Sequence, residues 1–395
     1  MNTFGILQNT VQPYAWGSCS AIAELTGNPN PSNVPQAEIW MGTHPRGPSR
    51  VRVNDRWIFL SDLIAESPDQ MLGKTASTKF HGKLPYLFKI LAAEKPLSIQ
   101  AHPNKEQAEE GFFRENQKNI AINAFNRNYR DDNHKPECLC ALTPFWALKG
   151  FRGLDETQRL LKRACPKNLR NLDISGLKSF FKSLMTLSSV QKAELIAETV
   201  SSAGKYDDPA FQWALRLNQE YPNDVGMMAP FFLNLVCLQP GEAVFLEPGE
   251  LHVYLKGMGV ELMADSDNVL RGGLTCKHID VPELMHVVKF AAQPVSVLYP
   301  ESVWECEKIY PVCAREFALS IISLQDGSRY SSFGQRSMEI LLCVEGTAEI
   351  SDTETKSAIE MSRGVSLIVP AAVWRYEIRG QAFLYKASIP LESFQ

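Results

Sequence analysis

The first 150 residues carry short apolar runs interrupted by Gly, Pro and Asn. Examples are Glu38-Ile39-Trp40-Met41-Gly42, Leu84-Pro85-Tyr86-Leu87-Phe88-Lys89-Ile90-Leu91 and Leu97-Ser98-Ile99-Gln100-Ala101-His102. Runs of this length between turn formers predict strands and a β-rich core. A helix is expected just after His102, where Asn104 can cap and Gln107 occupies the capping-box position. Between about 153 and 228 the period changes. Asp155-Glu156-Thr157-Gln158 has the composition of a helix start. Leu177, Phe180, Phe181 and Leu184 recur at i, i+3, i+4 and i+7, and Ala193, Ile196, Ala197 and Val200 continue that spacing. Phe211 to Leu217 predicts one more helix, so this stretch reads as a helical insertion.

Strands return after Pro230. Phe231-Phe232-Leu233-Asn234-Leu235-Val236-Cys237-Leu238 leads into a Pro240-Gly241 turn, the run Ala243-Val244-Phe245-Leu246, a second turn at Pro248-Gly249, and then His252. Turn, short buried strand, turn and ligand-type residue is a recurring jelly-roll arrangement. A fainter copy runs from Arg363-Gly364 through Val365 to Val369, Pro370 and Trp374, with Gly364 answering Gly241 and no His where His252 would fall. Such an internal repeat predicts two jelly rolls, one with a metal and one without. The expected architecture is mainly β with a helical insertion. A discontinuous domain spans 1–152 and 229–314, the helical domain 153–228, and a metal-free jelly roll 315–395.

Composition narrows the function classes. A chain of 395 residues suggests two or three domains. A formal net charge of −4 supplies no basic field, which argues against nucleic acid and an anionic membrane as partners. An anionic small molecule stays open, because a few local Lys and Arg side chains can line a pocket of an acidic protein. The N-terminal stretch lacks the positive start and apolar run of a signal peptide, and no apolar run reaches the roughly 18 residues of a membrane span. Nine scattered cysteines are an odd number without paired spacing. Cys138 and Cys140 alternate in an apparent strand and read as packed thiols. A reduced, cytoplasmic protein, monomeric, is expected.

Three separate stretches offer ligands to one divalent metal. Gln100 and His102 share one face of a strand while Ile99 and Ala101 point into the packing. His134-Lys135-Pro136-Glu137 is a polar cluster ahead of the apolar run Cys138 to Leu142, and His252 follows the second Pro-Gly turn, two residues before Tyr254. Two imidazoles, a carboxylate and an amide oxygen can bind zinc and leave a position for water or substrate, as catalytic sites do. Read singly, each is an ordinary packed or solvated residue, and local spacing does not say that the three stretches meet. The polar run Glu261 to Lys277 mixes carboxylates with Arg271 and Lys277 around Gly272-Gly273. It offers both the bidentate and the point-charge cation that a phosphate prefers.

The stretches Gln12-Pro13-Tyr14-Ala15-Trp16-Gly17, Ala37-Glu38-Ile39-Trp40-Met41-Gly42-Thr43-His44-Pro45, Pro96-Leu97-Ser98-Ile99-Gln100-Ala101-His102-Pro103, Asn133-His134-Lys135-Pro136-Glu137 and Asp265 to Thr275 resemble the type I phosphomannose isomerases, in order and in separation. That resemblance implies two cupin-like jelly rolls plus an α-helical domain, and an enzyme that interconverts mannose 6-phosphate and fructose 6-phosphate with one Zn2+ per chain. It implies Gln100, His102, Glu137 and His252 as zinc ligands and Arg271 as the catalytic arginine. Lys135 and His134 would face the sugar, and Glu261 and Asp267 fall at positions of substrate contact or proton transfer. Ser98, Lys89 and Lys277 are candidates for the phosphate end, with Tyr254, Trp16 and Glu38 as further substrate contacts.

Moving a proton between C1 and C2 through a cis-enediol needs a base of moderate pKa and a positive group for the enediolate. Glu261, Asp267 and His134 are rivals for the base, and Lys135 either shuttles protons or neutralises substrate charge. Arg271 can hold the phosphate or stabilise the enediolate, and stabilisation close to the chemistry is the role expected. The competing readings are a non-catalytic sugar-sensing protein on the same paired jelly rolls and a metal-dependent oxygenase, whose iron prefers a two-His-one-carboxylate set. Whether the enzyme serves mannose catabolism or GDP-mannose supply stays open.

Overall fold

The strand His252–Ala264 is the spine of the first jelly roll in the computed structural model, which describes residues 3–391. It lies within a ten-stranded antiparallel sheet. Its beginning pairs with Phe145–Phe151 and, at His252, with Gln100; its second half pairs with Tyr86–Ala93 on one side and Glu137–Ala141 on the other. The partners change around Gly257, whose φ is 136°. A Cβ there would stand 2.7 Å from the Pro144 carbonyl oxygen, so only glycine lets one strand serve both walls.

The second jelly roll repeats this plan in an eleven-stranded sheet around Glu339–Asp352 and Tyr376–Ser388. Gly241 and Gly364 both have φ of 87° and precede Ala243–Leu246 and Ser366–Val369 by two residues. The thirteen-residue strand that follows also recurs, with Gly380 at φ 135° in the role of Gly257. The repeat read from the two Gly-containing turns is therefore a repeat of backbone conformation. The second sheet also takes in residues ahead of the expected boundary at 315. Glu301–Trp304 pairs with Glu307–Ile309, which pairs with Ala318–Leu324. Gly5–Gln8 pairs with Ser366–Val369 and so ties the start of the chain to its end.

Residues 153–228 fold mainly as helices, including Leu154–Ala164, Leu177–Met185, Ser189–Ala203 and Pro209–Glu220. Phe180, Phe181 and Leu184 are buried as their spacing predicts and pack in one cluster with Phe151, Phe231 and Phe232. Two local expectations change. Phe231 and Phe232 belong to the helical turn Ala229–Phe232, and the strand begins only at Leu233. In Ser189–Ala203 the buried face is Leu195, Ile196, Thr199 and Ala203, leaving Ala193 and Ala197 exposed. Alanine fits either face of a helix, and the larger Leu195 and Ile196 decide which face turns inward. The helix Lys105–Gln117 starts as expected, with Asn104 and Gln107 in a reciprocal capping box. Among the described residues no helix is long and apolar enough to cross a membrane.

Candidate active site

The metal cradle is assembled where three strands and one turn meet. Gln100 lies opposite His252 on one neighbouring strand and opposite Arg271 on the other, so the three form a row across the sheet. The Gly249 amide donates to the carbonyl of His102 over 2.7 Å, and this bond ties the turn before His252 to the stretch that carries His102. The imidazole centroids of His102 and His252 are 5.0 Å apart. Glu137 stands between them, with Oε1 3.5 Å from His102 Nε2 and Oε2 3.5 Å from His252 Nε2. Nδ1–H of His102 donates to the Asn268 carbonyl over 2.7 Å, and Nδ1–H of His252 donates to the Glu250 carbonyl over 3.1 Å. Both bonds fix the tautomer that leaves Nε2 with a free lone pair, as metal-ligating histidines require.

These residues fit a divalent cation. His102 Nε2 is buried without a hydrogen-bond partner, a costly arrangement unless something else satisfies it. One ligand atom from each of His102, Glu137 and His252 falls within 4.8 Å of the others. Burial pushes the His252 imidazole down to about 3, and burial followed by the charge of Lys135 also lowers His102, so both are neutral donors at physiological pH. Burial opposes ionisation of Glu137, yet the Lys135 ammonium 2.9 Å away leads the groups that outweigh it and hold its carboxyl well below the ordinary range.

Beside the cradle is a cavity of about 50 Å³ lined by Glu38, Lys89, Gln100, Lys135, Glu137, His252, Tyr254 and Glu261, with Leu91 and Leu97. Two ammonium groups face three carboxylates there, leaving one negative charge for a cation to offset. Lys89 and Glu261 are cross-strand neighbours, and their Nζ and Oε2 are 2.9 Å apart; Glu38 Oε1 is 3.9 Å from the same Nζ. Burial alone would lower the Lys89 ammonium, but Glu261 and then Glu38 raise it. Burial raises the Glu261 carboxyl more than Lys89 lowers it. Lys135 Nζ is 2.9 Å from Glu137 Oε1. The Tyr254 hydroxyl is buried without a hydrogen-bond partner, and burial holds its pKa well above the ordinary value.

The remaining candidates lie outside this lining. Arg271 is half-buried beside Arg130, and burial followed by that neighbouring charge lowers its pKa. Lys277 is exposed but shares the same field, its ammonium lowered by desolvation and then by Arg271 and Arg130. Asp267 is bound by Arg46 and by His44 Nε2 at 3.4 Å; burial pushes its carboxyl up, but His44 and Arg46 bring it far down. His134 turns its Nε2 to Glu316 at 2.8 Å. Trp16 is partly buried against the cluster containing Leu91, Leu97 and Tyr254, and it stacks on Tyr14 with centroids 5.8 Å apart. Ser98 is half-buried, two residues before Gln100.

Sequence reasoning missed Arg130 and Asn268. Asn268 is fully buried; its side chain accepts from the Arg130 amide and donates to the carbonyls of Asp131 and Asn133, while its own carbonyl holds His102. Its place between two aspartates and an arginine resembled an exposed charged loop, and nothing local signals that it is a keystone.

A jelly roll with two imidazoles and a carboxylate converging on its inner wall, next to a charged cavity, defines a cupin-type enzyme with a candidate metal centre. Residues 5–154 match the family described as phosphomannose isomerase type I, catalytic domain, and residues 307–387 match the mannose-6-phosphate isomerase cupin domain. The mannose-6-phosphate isomerase of Escherichia coli K12 is 39% identical over 386 residues, covering 96% of this chain and 97% of that protein. The human mannose-6-phosphate isomerase is 37% identical over 405 residues, covering 92% and 93%. A crystal structure of a phosphomannose isomerase variant from Salmonella typhimurium superposes with a TM-score of 0.91 at 37% identity, covering 98% of this chain and all of that one. A zinc-bound mannose 6-phosphate isomerase structure superposes with a TM-score of 0.89 at the same identity and coverage. The chain belongs to the mannose-6-phosphate isomerase family, the type I phosphomannose isomerases.

Proposed function

We propose that this protein interconverts mannose 6-phosphate and fructose 6-phosphate with one zinc ion held by Gln100, His102, Glu137 and His252. The observation that carries this reading is the cradle itself. Two tautomer-fixed imidazoles and Glu137 converge, and the His102 Nε2 lone pair is buried and unmatched. Zinc, when bound, supplies Lewis-acid charge for substrate oxygens that gain negative charge.

The chain's own residues account for the rest of the chemistry. The sugar end of the substrate enters the cavity beside Lys89, Lys135 and Glu261. The phosphate is taken by Arg271, Arg130 and Lys277, three cations without an acidic partner among the described residues. This shifts Arg271 from stabilising an enediolate to holding the phosphate end, and Lys89 away from the phosphate, since its ammonium is committed to Glu261. Glu261 carries the proton between C1 and C2 through a cis-enediol: its burial raises its basicity, and Lys89 keeps it oriented. Lys135 offsets charge near Glu137, and the partnerless hydroxyl of Tyr254 donates to a sugar oxygen. Glu38 holds Lys89 and Trp40, Trp16 backs the apolar wall, and Ser98 flanks Gln100. Asp267, already bound by Arg46 and His44, posts the loop rather than moving protons.

The test is a coupled assay of fructose 6-phosphate formed from mannose 6-phosphate, with and without chelator treatment. Turnover should vanish with the chelator and return with zinc. Absence of turnover in folded, zinc-loaded protein overturns the assignment and brings forward a sugar-binding protein without catalysis.

A further inference from the structure

The strand that supplies Glu137 has two faces with different neighbours. Within the strand Glu137–Ala141 a period of two turns Glu137 and Leu139 one way and Cys138 and Cys140 the other; in the segment ahead of it Lys135 joins the first set at the cavity and His134 the second. The first set meets the cavity and the apolar wall around Leu91 and Tyr254. The second set meets the second jelly roll. Cys138 and Cys140 pack with Tyr310, Phe317, Leu319 and Tyr385, and Cys140 Sγ lies 2.9 Å from the Tyr310 hydroxyl and 3.2 Å from that of Tyr385. At the start of this segment His134 Nε2 meets Glu316 Oε1 at 2.8 Å, a contact between residues 182 apart in sequence. Glu316 lies just ahead of the strand Ala318–Leu324 of the second sheet.

Glu316 is 8% exposed, and its Oε2 is buried with no partner. Burying a carboxylate with one oxygen unmatched is costly, and His134 is the only side chain bonded to it among the described residues. Burial would push the Glu316 carboxyl up, but the hydrogen bond and charge of His134 bring it below the ordinary range. The backbone between His134 and Glu137 is then anchored at both ends. At one end is Glu316; at the other, Glu137 enters the sheet opposite Met263 and Leu246. Pro136 between them stiffens the short connection, and its carbonyl accepts from the Ala264 amide.

We propose that Glu316 of the second jelly roll is a positioning residue for the metal site, holding His134 so that the segment through Lys135 presents Glu137 to the metal. The inference rests on the proposed zinc cradle. It gives the second jelly roll a defined part in positioning the site: it forms the rear wall of the strand that carries Glu137.

Two conservative variants separate reach from charge. Glu316→Gln keeps the length and the acceptor oxygen, whereas Glu316→Asp keeps the charge and loses one methylene of reach. Zinc affinity is read by competition with a chromophoric chelator, with the melting temperature of the metal-free protein as a control. Glu316→Asp is expected to weaken zinc binding about 10-fold, the lower end for outer partners of metal ligands, and Glu316→Gln to stay within about twofold of the parent. At saturating zinc the Asp variant regains turnover. Parental zinc affinity in Glu316→Asp, or an equal loss in Glu316→Gln, overturns the proposal. A purely structural contact would move the metal-free melting temperature and leave zinc affinity alone. Failure of the parent protein itself to bind zinc would instead overturn the zinc cradle.

Discussion

Replacing Lys89 by Met removes the one ammonium that stands between Glu261 and Glu38, at 2.9 and 3.9 Å, and leaves a side chain of similar volume. All three side chains are more than nine-tenths buried, so water does not repair the loss. Breaking a buried ion pair by deleting one partner costs about 3–5 kcal/mol, mostly the penalty of the charge left behind. With an unfolding entropy of about 2.1 cal/mol/K per residue, a chain of this length has roughly 0.8 kcal/mol/K. The expected drop in melting temperature is therefore about 4–6 °C. The measurement is a thermal melt of chelator-treated protein, so that bound metal does not compensate the freed carboxylates. Adding Glu261→Gln to Lys89→Met removes one of the stranded charges, and the double variant should melt above the single one. A Lys89→Met protein that melts within a degree of the parent refutes the reasoning. So does a double variant no more stable than the single, because the cost would then lie in packing rather than in unpaired charge.

Arg271→Ala should leave zinc content unchanged and lower kcat/KM by about 10- to 150-fold, the worth of a charge-assisted bond to phosphate, with KM rising more than kcat falls; an unchanged kcat/KM removes Arg271 from the site. The metal-free protein should lose stability as pH falls below about 6.5, the ordinary imidazole value. His252 is depressed to about 3 and His102 is lowered too, so in this window the unfolded chain binds protons that the folded chain refuses. Urea midpoints at pH 7.5, 6.5 and 5.5 check this, and a flat profile contradicts it. Gly111→Ala, a change that stabilises many exposed helices, should here cost about 1–3 kcal/mol in urea unfolding. Its Cβ would stand 2.4 Å from the Tyr129 ring. A gain in stability would show that the ring yields.

What the sequence determined by itself is what depends on neighbours along the chain. The Asn104–Gln107 capping box, the strands around Tyr86–Ala93 and Glu137–Ala141, and the Phe180–Phe181–Leu184 face are set by spacings of a few residues. The paired turns at Gly241 and Gly364 were legible for the same reason, since a positive φ selects glycine locally. The alternation that puts Gln100 and His102 on one face is likewise a two-residue property.

Only the tertiary structure decided which face of each element meets which partner. From the sequence, His134 and Lys135 are both expected to face the sugar, whereas the second jelly roll behind the strand takes His134 to Glu316 and leaves Lys135 to the cavity. Composition marks Lys89 and Asp267 as charged, whereas their pairing with Glu261 and with Arg46 and His44 joins residues 172, 221 and 223 positions apart in sequence. The meeting of His102, Glu137 and His252 is of this kind as well, drawn together by the Gly249–His102 bond and the pairing of Gln100 with His252. Local spacing carries the energies of turns and alternation. Side-chain charge and hydrogen bonding act through space, and they remain undetermined until the sheets close.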